Sequence, residues 1–224
     1  AMTAVYLAAG LGLLKFFPSA RKSIRKYPFA FALAAGFFGT LLFALAAVGL
    51  LNFPAVFVVF AASAVVFRKE LAEALGDLKA CFPALKSAVA GPEGIAAAAA
   101  AGFIFTYVFI TALTPPVYYD TLVYHLGVTE RYLSAGRLIN MPENVFSYFP
   151  QMIQMNYAAY LLMSGELGVK LFQFMFAVMS LSAVYGICRG AGASWKTALI
   201  LLVSCPLFAM NAARPGAELP LAFF

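Results

Sequence analysis

Long apolar runs separated by short polar segments are the main pattern along this chain. A helix needs roughly 20 apolar residues to cross about 30 Å of hydrocarbon at about 1.5 Å per residue. The runs are rich in Ala and Leu and lack the alternation of membrane barrel strands, so they predict helices. They lie at residues 2–17, 29–51, 53–67, 95–113, 167–188 and 195–212, and another begins at residue 217. We expect an all-α polytopic membrane protein with six to seven transmembrane helices, in which the short third run forms a tight hairpin with the second.

Composition agrees with this pattern and narrows the chemistry. Hydrophobic residues make up 64% of the 224 residues and charged residues 11%, whereas soluble domains have about half and about a quarter. The cysteines, at positions 81, 188 and 205, form no Cys-x-x-Cys pair and no Cys/His spacing typical of zinc. The sequence therefore predicts an integral membrane protein without a disulfide framework or a zinc motif.

Basic residues predict the orientation of the helices, because cytoplasmic loops retain Lys and Arg. Loops on one predicted side of the membrane contain Lys15, Arg21, Lys22, Arg25, Lys26, Arg68, Lys69, Lys79, Lys86, Arg189 and Lys196. The other side keeps only Arg131, Arg137, Lys170 and Arg214. The loop 114–166 is therefore predicted to be extracytoplasmic, and the net charge of +6 is a topology signal that gives no support to nucleic-acid binding.

This large loop gathers polar and aromatic residues where an apolar run ends. Pro115 and Pro116 cannot continue the preceding helix. Residues 121–135 then predict a helix with Gly136 just past its C-terminus, and 150–163 predict a second juxtamembrane helix. A wheel of the first helix places Leu122, Leu126, Thr129 and Leu133 on one face and Asp120, Tyr124, Gly127 and Arg131 on the other. In the second helix, Gln151, Gln154 and Tyr157 are spaced to point toward a common site.

Each notable polar residue also has a purely structural interpretation. Asp120 could be the N-cap of the helix that follows it. His125 flanks the apolar face and could be an interfacial histidine with a satisfied hydrogen bond, and Arg131 could belong to a solvated face. Arg214 and Glu218 are spaced i, i+4 and could form a weak helix pair.

Several motifs in the second part of the chain resemble those of one enzyme class. The run YYDTLVYHLGVTERYLSAGRL, followed by FSYFPQ, a short helix, a span ending near YGICRG and a later AELPLAFF, resembles the polytopic bacterial GT-C glycosyltransferases. That class includes aminoarabinose transferases and protein O-mannosyltransferases, and the resemblance covers residues 95–224. Its members use an aspartate at the start of the first large outer loop as catalytic base, and Asp120 matches it. They often carry a second acidic residue where a later span begins, and Glu218 lies there, although aspartate is commoner.

The resemblance implies an inverting transfer of a sugar from a polyprenyl phosphate to a glycan, lipid or protein acceptor at the extracytoplasmic face of the bacterial inner membrane. A phosphate leaving group needs cationic stabilisation, and an ionised aspartate can deprotonate an acceptor hydroxyl. With Asp120 as base, the residues expected to bind substrate are Tyr119, Tyr124, His125, Arg131, Arg137, Gln151, Gln154, Arg214 and Glu218. No cofactor is assigned, and a divalent metal ion is left open.

The resemblance also implies a division of the chain. Residues 1–91 are expected to be accessory transmembrane helices, and 92–224 the start of a catalytic module that continues beyond residue 224, so that these residues alone should show no transfer. The competing interpretations are a non-catalytic subunit, with partner subunits in a membrane complex, and a transporter. A transporter should carry ionisable residues inside several spans, and the central parts of these runs lack them.

Overall fold

The computed structural model describes residues 2–23, 25–89, 91–194, 196 and 205–224, and within these residues it is helical and contains no strand. The all-α prediction is confirmed. Short 3₁₀ turns lie at Leu14–Phe16 and Val145–Tyr148, and a π-helical turn at Thr121–Leu126. The α-helices are α1 (Met2–Leu13), α2 (Pro18–Arg21), α3 (Lys26–Ala47), α4 (Phe53–Val66), α5 (Arg68–Ala88), α6 (Pro92–Leu113), α7 (Gly127–Ala135), α8 (Met152–Gly190), α9 (Pro206–Ala212) and α10 (Glu218–Phe223).

Three of these helices are long and apolar enough to cross a membrane, namely Lys26–Ala47, Gly94–Leu113 and Met152–Gly190. The predicted number of six to seven is therefore not confirmed. Two of the predicted spans form shorter apolar helices, Met2–Phe16 and Phe53–Val66. The second of these has 14 residues and is about 21 Å long, which is short of the hydrocarbon thickness. The predicted span 195–212 lies largely outside the described residues.

The long helix α8 is in fact two antiparallel arms joined at Gly165. This glycine has φ 65° and ψ −166°, which no helical residue adopts. The Tyr157 hydroxyl lies 2.7 Å from Gln173 Oε1, and the rings of Tyr160 and Phe172 stack at 4.6 Å. Residues 157 and 173 would be about 24 Å apart in a straight helix, so the chain folds back on itself. The arm 152–164 corresponds to the predicted second loop helix, and the arm 166–190 is long enough to span.

The first arm of α8 is a core element, because its residues 154–160 are all buried. It packs on α1 and α3 beside an aromatic cluster to which Tyr6, Phe38 and Phe172 belong. Tyr6 donates to Asn156 Oδ1 at 2.6 Å, and Asn156 Nδ2 donates to Ala35 O at 3.1 Å. These bonds satisfy polar groups that would otherwise be costly to bury.

The two ends of α3 contact different parts of the chain. At its N-terminal end, bases of the segment 15–26 pair with acids of α5: Lys15 with Glu70, Arg21 with Glu73 at 2.6 Å, and Lys26 with Asp77 at 2.5 Å. At its other end, the Leu138 amide donates to Ala46 O at 3.0 Å, and the Leu51 amide donates to Gly136 O at 2.9 Å. Since 22 residues of helix extend about 33 Å, the loop after α7 lies at the end of α3 opposite to the ion pairs.

Candidate functional site

Asp120 stands at the point where the chain leaves α6 and enters the next helix. Its backbone is already helical (φ −59°, ψ −42°) and its side chain makes no capping hydrogen bond, so the N-cap interpretation is wrong. Instead, Oδ2 of Asp120 accepts a hydrogen bond from Nη2 of Arg214 at 3.0 Å. The guanidinium of Arg214 also lies 4.5 Å from the ring centroid of Tyr118, a cation–π distance. Arg214 precedes α10 and is bonded to Asp120, so the proposed helix pair with Glu218 is also wrong.

The helix after Asp120 buries most of the predicted face and adds polar residues to it. Leu126 is 2% exposed and Thr129 fully buried as the wheel grouped them, but Leu122 is 46% exposed. Thr121 and His125 are buried as well. Thr121 donates to Pro215 O at 2.8 Å, which shows why this face turns inward: it packs on the backbone of another segment rather than on lipid. The predicted end of the helix is confirmed, because Gly136 follows Ala135 with φ 65° in the left-handed region.

The segment 211–217 is bonded to both loop helices. The Tyr157 hydroxyl lies 2.6 Å from Gly216 O and accepts the Gly216 amide proton at 3.2 Å. Gln173 donates to Asn211 O at 2.9 Å. Together with the hydrogen bonds of Asp120 and Thr121, these contacts bring together three distant stretches of the chain: the helix that follows Asp120, the two arms of α8, and the segment 211–217. Gln173 and Asn211 were not expected from the sequence, since one amide in an apolar run has no distinguishing local pattern.

A cavity of about 480 Å³ lies where these three stretches meet. Its volume is within the range of about 300–1,000 Å³ for small-molecule sites. Its lining comprises Ala35, Tyr124, His125, Phe146, Phe149, Pro150, Met152, Ile153, Gln154, Asn156, Ala217, Glu218, Pro220, Leu221 and Phe224. Of the predicted site residues, Tyr124, His125, Gln154 and Glu218 line it. Asp120, the expected base, does not line it.

His125 and Gln154 form a buried pair in the cavity wall. His125 Nδ1 lies 3.2 Å from Gln154 Nε2. The other ring nitrogen, Nε2, and the amide oxygen Oε1 of Gln154 are both buried without a hydrogen-bond partner. Burial lowers the pKa of His125 from 6.5 to about 4, outweighing the carboxylates of Glu218 and Asp120, which raise it. The imidazole is therefore neutral at pH 7.

Three other predicted site residues lie away from this cavity. Tyr119 and Arg131 line a second, more open pocket of about 450 Å³ on the outer side of the helix. There Arg131 pairs with Glu143, and both side chains are more than half exposed. Arg137 is exposed on the surface. The interpretation of Arg131 as part of a solvated face thus fits its position.

The Gln151 side chain also has a structural role, because it bonds to the backbone of the preceding turn. Its amide donates to Phe146 O at 2.9 Å and to Phe149 O at 2.8 Å, and it is not among the cavity-lining residues. The common site predicted for Gln151, Gln154 and Tyr157 is therefore not formed. Only Gln154 reaches the cavity, because Tyr157 points to Gly216.

Within the described ranges, no group of three or more His, Cys, Asp and Glu side chains is arranged to hold a metal ion. No protein-family model, no curated protein and no solved structure matches this chain. The resemblance to GT-C enzymes therefore rests on the motifs within the chain.

Proposed function

We propose that this chain forms part of a membrane glycosyltransferase of the GT-C type, which transfers a sugar from a polyprenyl-phosphate donor to an acceptor hydroxyl with Asp120 as base. The observation that carries the proposal is the pairing of Asp120 with Arg214, which lie close enough to the cavity-lining His125 for both charges to act on its pKa. These residues are 94 positions apart, and the pair joins the two stretches that resemble the enzyme class.

The pair supplies the two groups that the transfer requires. Arg214 is a cation whose side chain is 18% exposed, and Asp120 is a carboxylate whose side chain is 43% exposed. A guanidinium can hold two phosphate oxygens at once. When the donor phosphate binds Arg214, it takes the place of the Asp120 carboxylate, which is then available to accept the proton of the attacking hydroxyl. In an inverting transfer the hydroxyl attacks the sugar from the side opposite the phosphate, so Arg214 would serve the leaving group and Asp120 the attacking hydroxyl.

The arrangement of charges supports an extracytoplasmic site. Basic residues are concentrated at the end of α3 that contacts α5, and such residues remain in the cytoplasm. The Asp120–Arg214 pair belongs to the loop region at the other end. We place this loop on the outer face of the bacterial inner membrane, where the head group of a polyprenyl phosphate is accessible.

The test is to replace Asp120 by Asn in the full-length protein reconstituted with a lipid-linked sugar and an acceptor. Removing a general base lowers rates about 10²- to 10⁴-fold, so transfer should fall at least a hundredfold. The half-exposed ion pair contributes about 1 kcal/mol or less to stability, so thermal unfolding should change little. Glu143→Gln is the matched control, because it removes a carboxylate from the same loop without touching Arg214. Near-normal transfer by Asp120→Asn would reject Asp120 as the base.

A further inference from the structure

We infer that the cavity binds an uncharged, hydroxyl-bearing group, and that a phosphate is excluded from it. The inference rests on the proposed function and deepens it, because it assigns the sugar to the cavity and leaves the phosphate outside, on Arg214. Three properties of the wall carry it: its charge, the unpaired atoms of His125 and Gln154, and its aromatic surface.

The charge of the wall disfavours an anion. Among the described residues that line the cavity, Glu218 is the only charged one. The nearby cation, Arg214, is not in the lining and is already bonded to Asp120 and stacked on Tyr118. A phosphate inside the cavity would therefore face the Glu218 carboxylate without a cation. Burying a charge without an opposite charge beside it is strongly unfavourable.

The His125–Gln154 pair requires a partner with both a donor and an acceptor. If the Gln154 amide donates to Nδ1, the pair leaves Nε2–H as a donor and Oε1 as an acceptor. If the amide is turned over, Nδ1–H donates to the amide oxygen. The pair then leaves Nε2 of His125 as the acceptor and the NH₂ group of Gln154 as the donor. In both arrangements one donor and one acceptor stay buried without partners, which is unfavourable for each of them.

The class of ligand follows from this requirement. A phosphate oxygen offers only acceptors, so it leaves the acceptor of the pair unsatisfied. An ammonium group offers only donors, so it leaves the donor unsatisfied. A hydroxyl group is donor and acceptor together, and adjacent hydroxyls on a sugar ring supply several such groups. The pair therefore favours a neutral hydroxylated ligand over ions of either sign.

The rest of the wall fits the apolar faces of such a ring. Phe146, Phe149 and Phe224 contribute aromatic side chains, and Tyr124 stacks on Phe146 with ring centroids 4.1 Å apart. Small-molecule sites commonly combine an apolar wall with a few polar groups that fix orientation. Here the polar groups are His125, Gln154 and Glu218.

The experiment uses the fact that the chain has one histidine. Protein labelled with ¹⁵N-histidine in phosphatidylcholine nanodiscs gives a single pair of imidazole resonances, and these report ligand binding at His125. The probes are octyl glucoside below its micellar concentration, octyl phosphate and octylammonium. Octyl glucoside should shift the resonances saturably and bind at least tenfold more tightly than either ion. Tighter or equal binding of octyl phosphate or octylammonium, or no shift with octyl glucoside, would overturn the inference.

A variant tests the assigned pair. Gln154→Leu should weaken octyl glucoside binding at least tenfold, whereas Glu143→Gln, at the second pocket, should leave it unchanged. Unchanged binding in a Gln154→Leu protein of normal thermal stability would contradict the inference. If that variant does not fold, the ranking of the three probes on the unmodified protein decides the question.

The assay separates this inference from the proposed transferase activity. Glucoside-selective binding in a protein that shows no transfer would leave the cavity assignment standing and reject the enzyme. Active transfer combined with octyl phosphate binding in the cavity would leave the enzyme standing and reject the cavity assignment. Asp120→Asn should abolish transfer and keep glucoside binding.

Discussion

Lowering the pH from 7 to 4 should destabilise this protein in part through the imidazole of His125. The side chain is 2% exposed, and burial lowers its pKa to about 4. In the unfolded chain a histidine has a pKa of about 6.5. The unfolded state therefore binds a proton more readily than the folded state, and stability is lost as the pH falls.

The magnitude and the pH window follow from these two pKa values. Above about pH 6.5 the imidazole is neutral in both states, so His125 contributes no pH dependence. Between about pH 6.5 and pH 4 the unfolded state is protonated and the folded state is not. At about 1.4 kcal/mol per pH unit, the loss amounts to about 3 kcal/mol. Below the folded pKa the loss levels off.

The assay is reversible unfolding in mixed micelles at a series of pH values, compared with His125→Gln, whose side chain does not titrate. The difference between the two proteins removes the contribution of every carboxylate. We expect the free energy of unfolding of the native protein to fall by about 3 kcal/mol relative to the variant between pH 7 and pH 4. Parallel pH profiles, or a histidine pKa near 6.5 measured by NMR on the folded protein, would refute the reasoning.

Two other predictions concern packing and topology. A Cβ added at Gly39 would lie 2.6 Å from Met152 Cγ and 2.8 Å from Met152 O, whereas one at Gly36 meets nothing within 4 Å. Thermal unfolding should therefore show that Gly39→Ala is destabilised by about 1–3 kcal/mol and that Gly36→Ala is stabilised by up to about 1 kcal/mol. Equal effects of the two substitutions would contradict this close approach of α3 and α8. In a cysteine-free protein, a cysteine at Ser134 should react with a membrane-impermeant thiol reagent from outside the cell and one at Ser23 should not, and the reverse labelling would invert the proposed orientation.

The sequence determined the local elements of this protein. Hydropathy and helix-ending residues predicted the helices that the structure has at α3 and α6, the break between the arms of α8 and the end of α7 at Gly136. These features depend on residues close together in the chain, so their pattern is readable without a fold. The short third span was also located correctly as a helix, although its 14 residues are too few for a span of full thickness.

Only the tertiary structure decided which side chains meet. Local hydrophobicity grouped Leu122 with Leu126 on one face, but Leu122 is exposed and Thr121 is buried, because Thr121 donates to Pro215, 94 residues away. The local sequence left an N-cap open as the structural alternative for Asp120, but its side chain accepts instead from Arg214, also 94 residues away. Polar residues carry no periodic signal for such pairings, since each partner is chosen by the path of the chain through the bundle. The first arm of α8 became core for the same reason, because Asn156 finds Tyr6 and Ala35 only once α1 and α3 have packed against it.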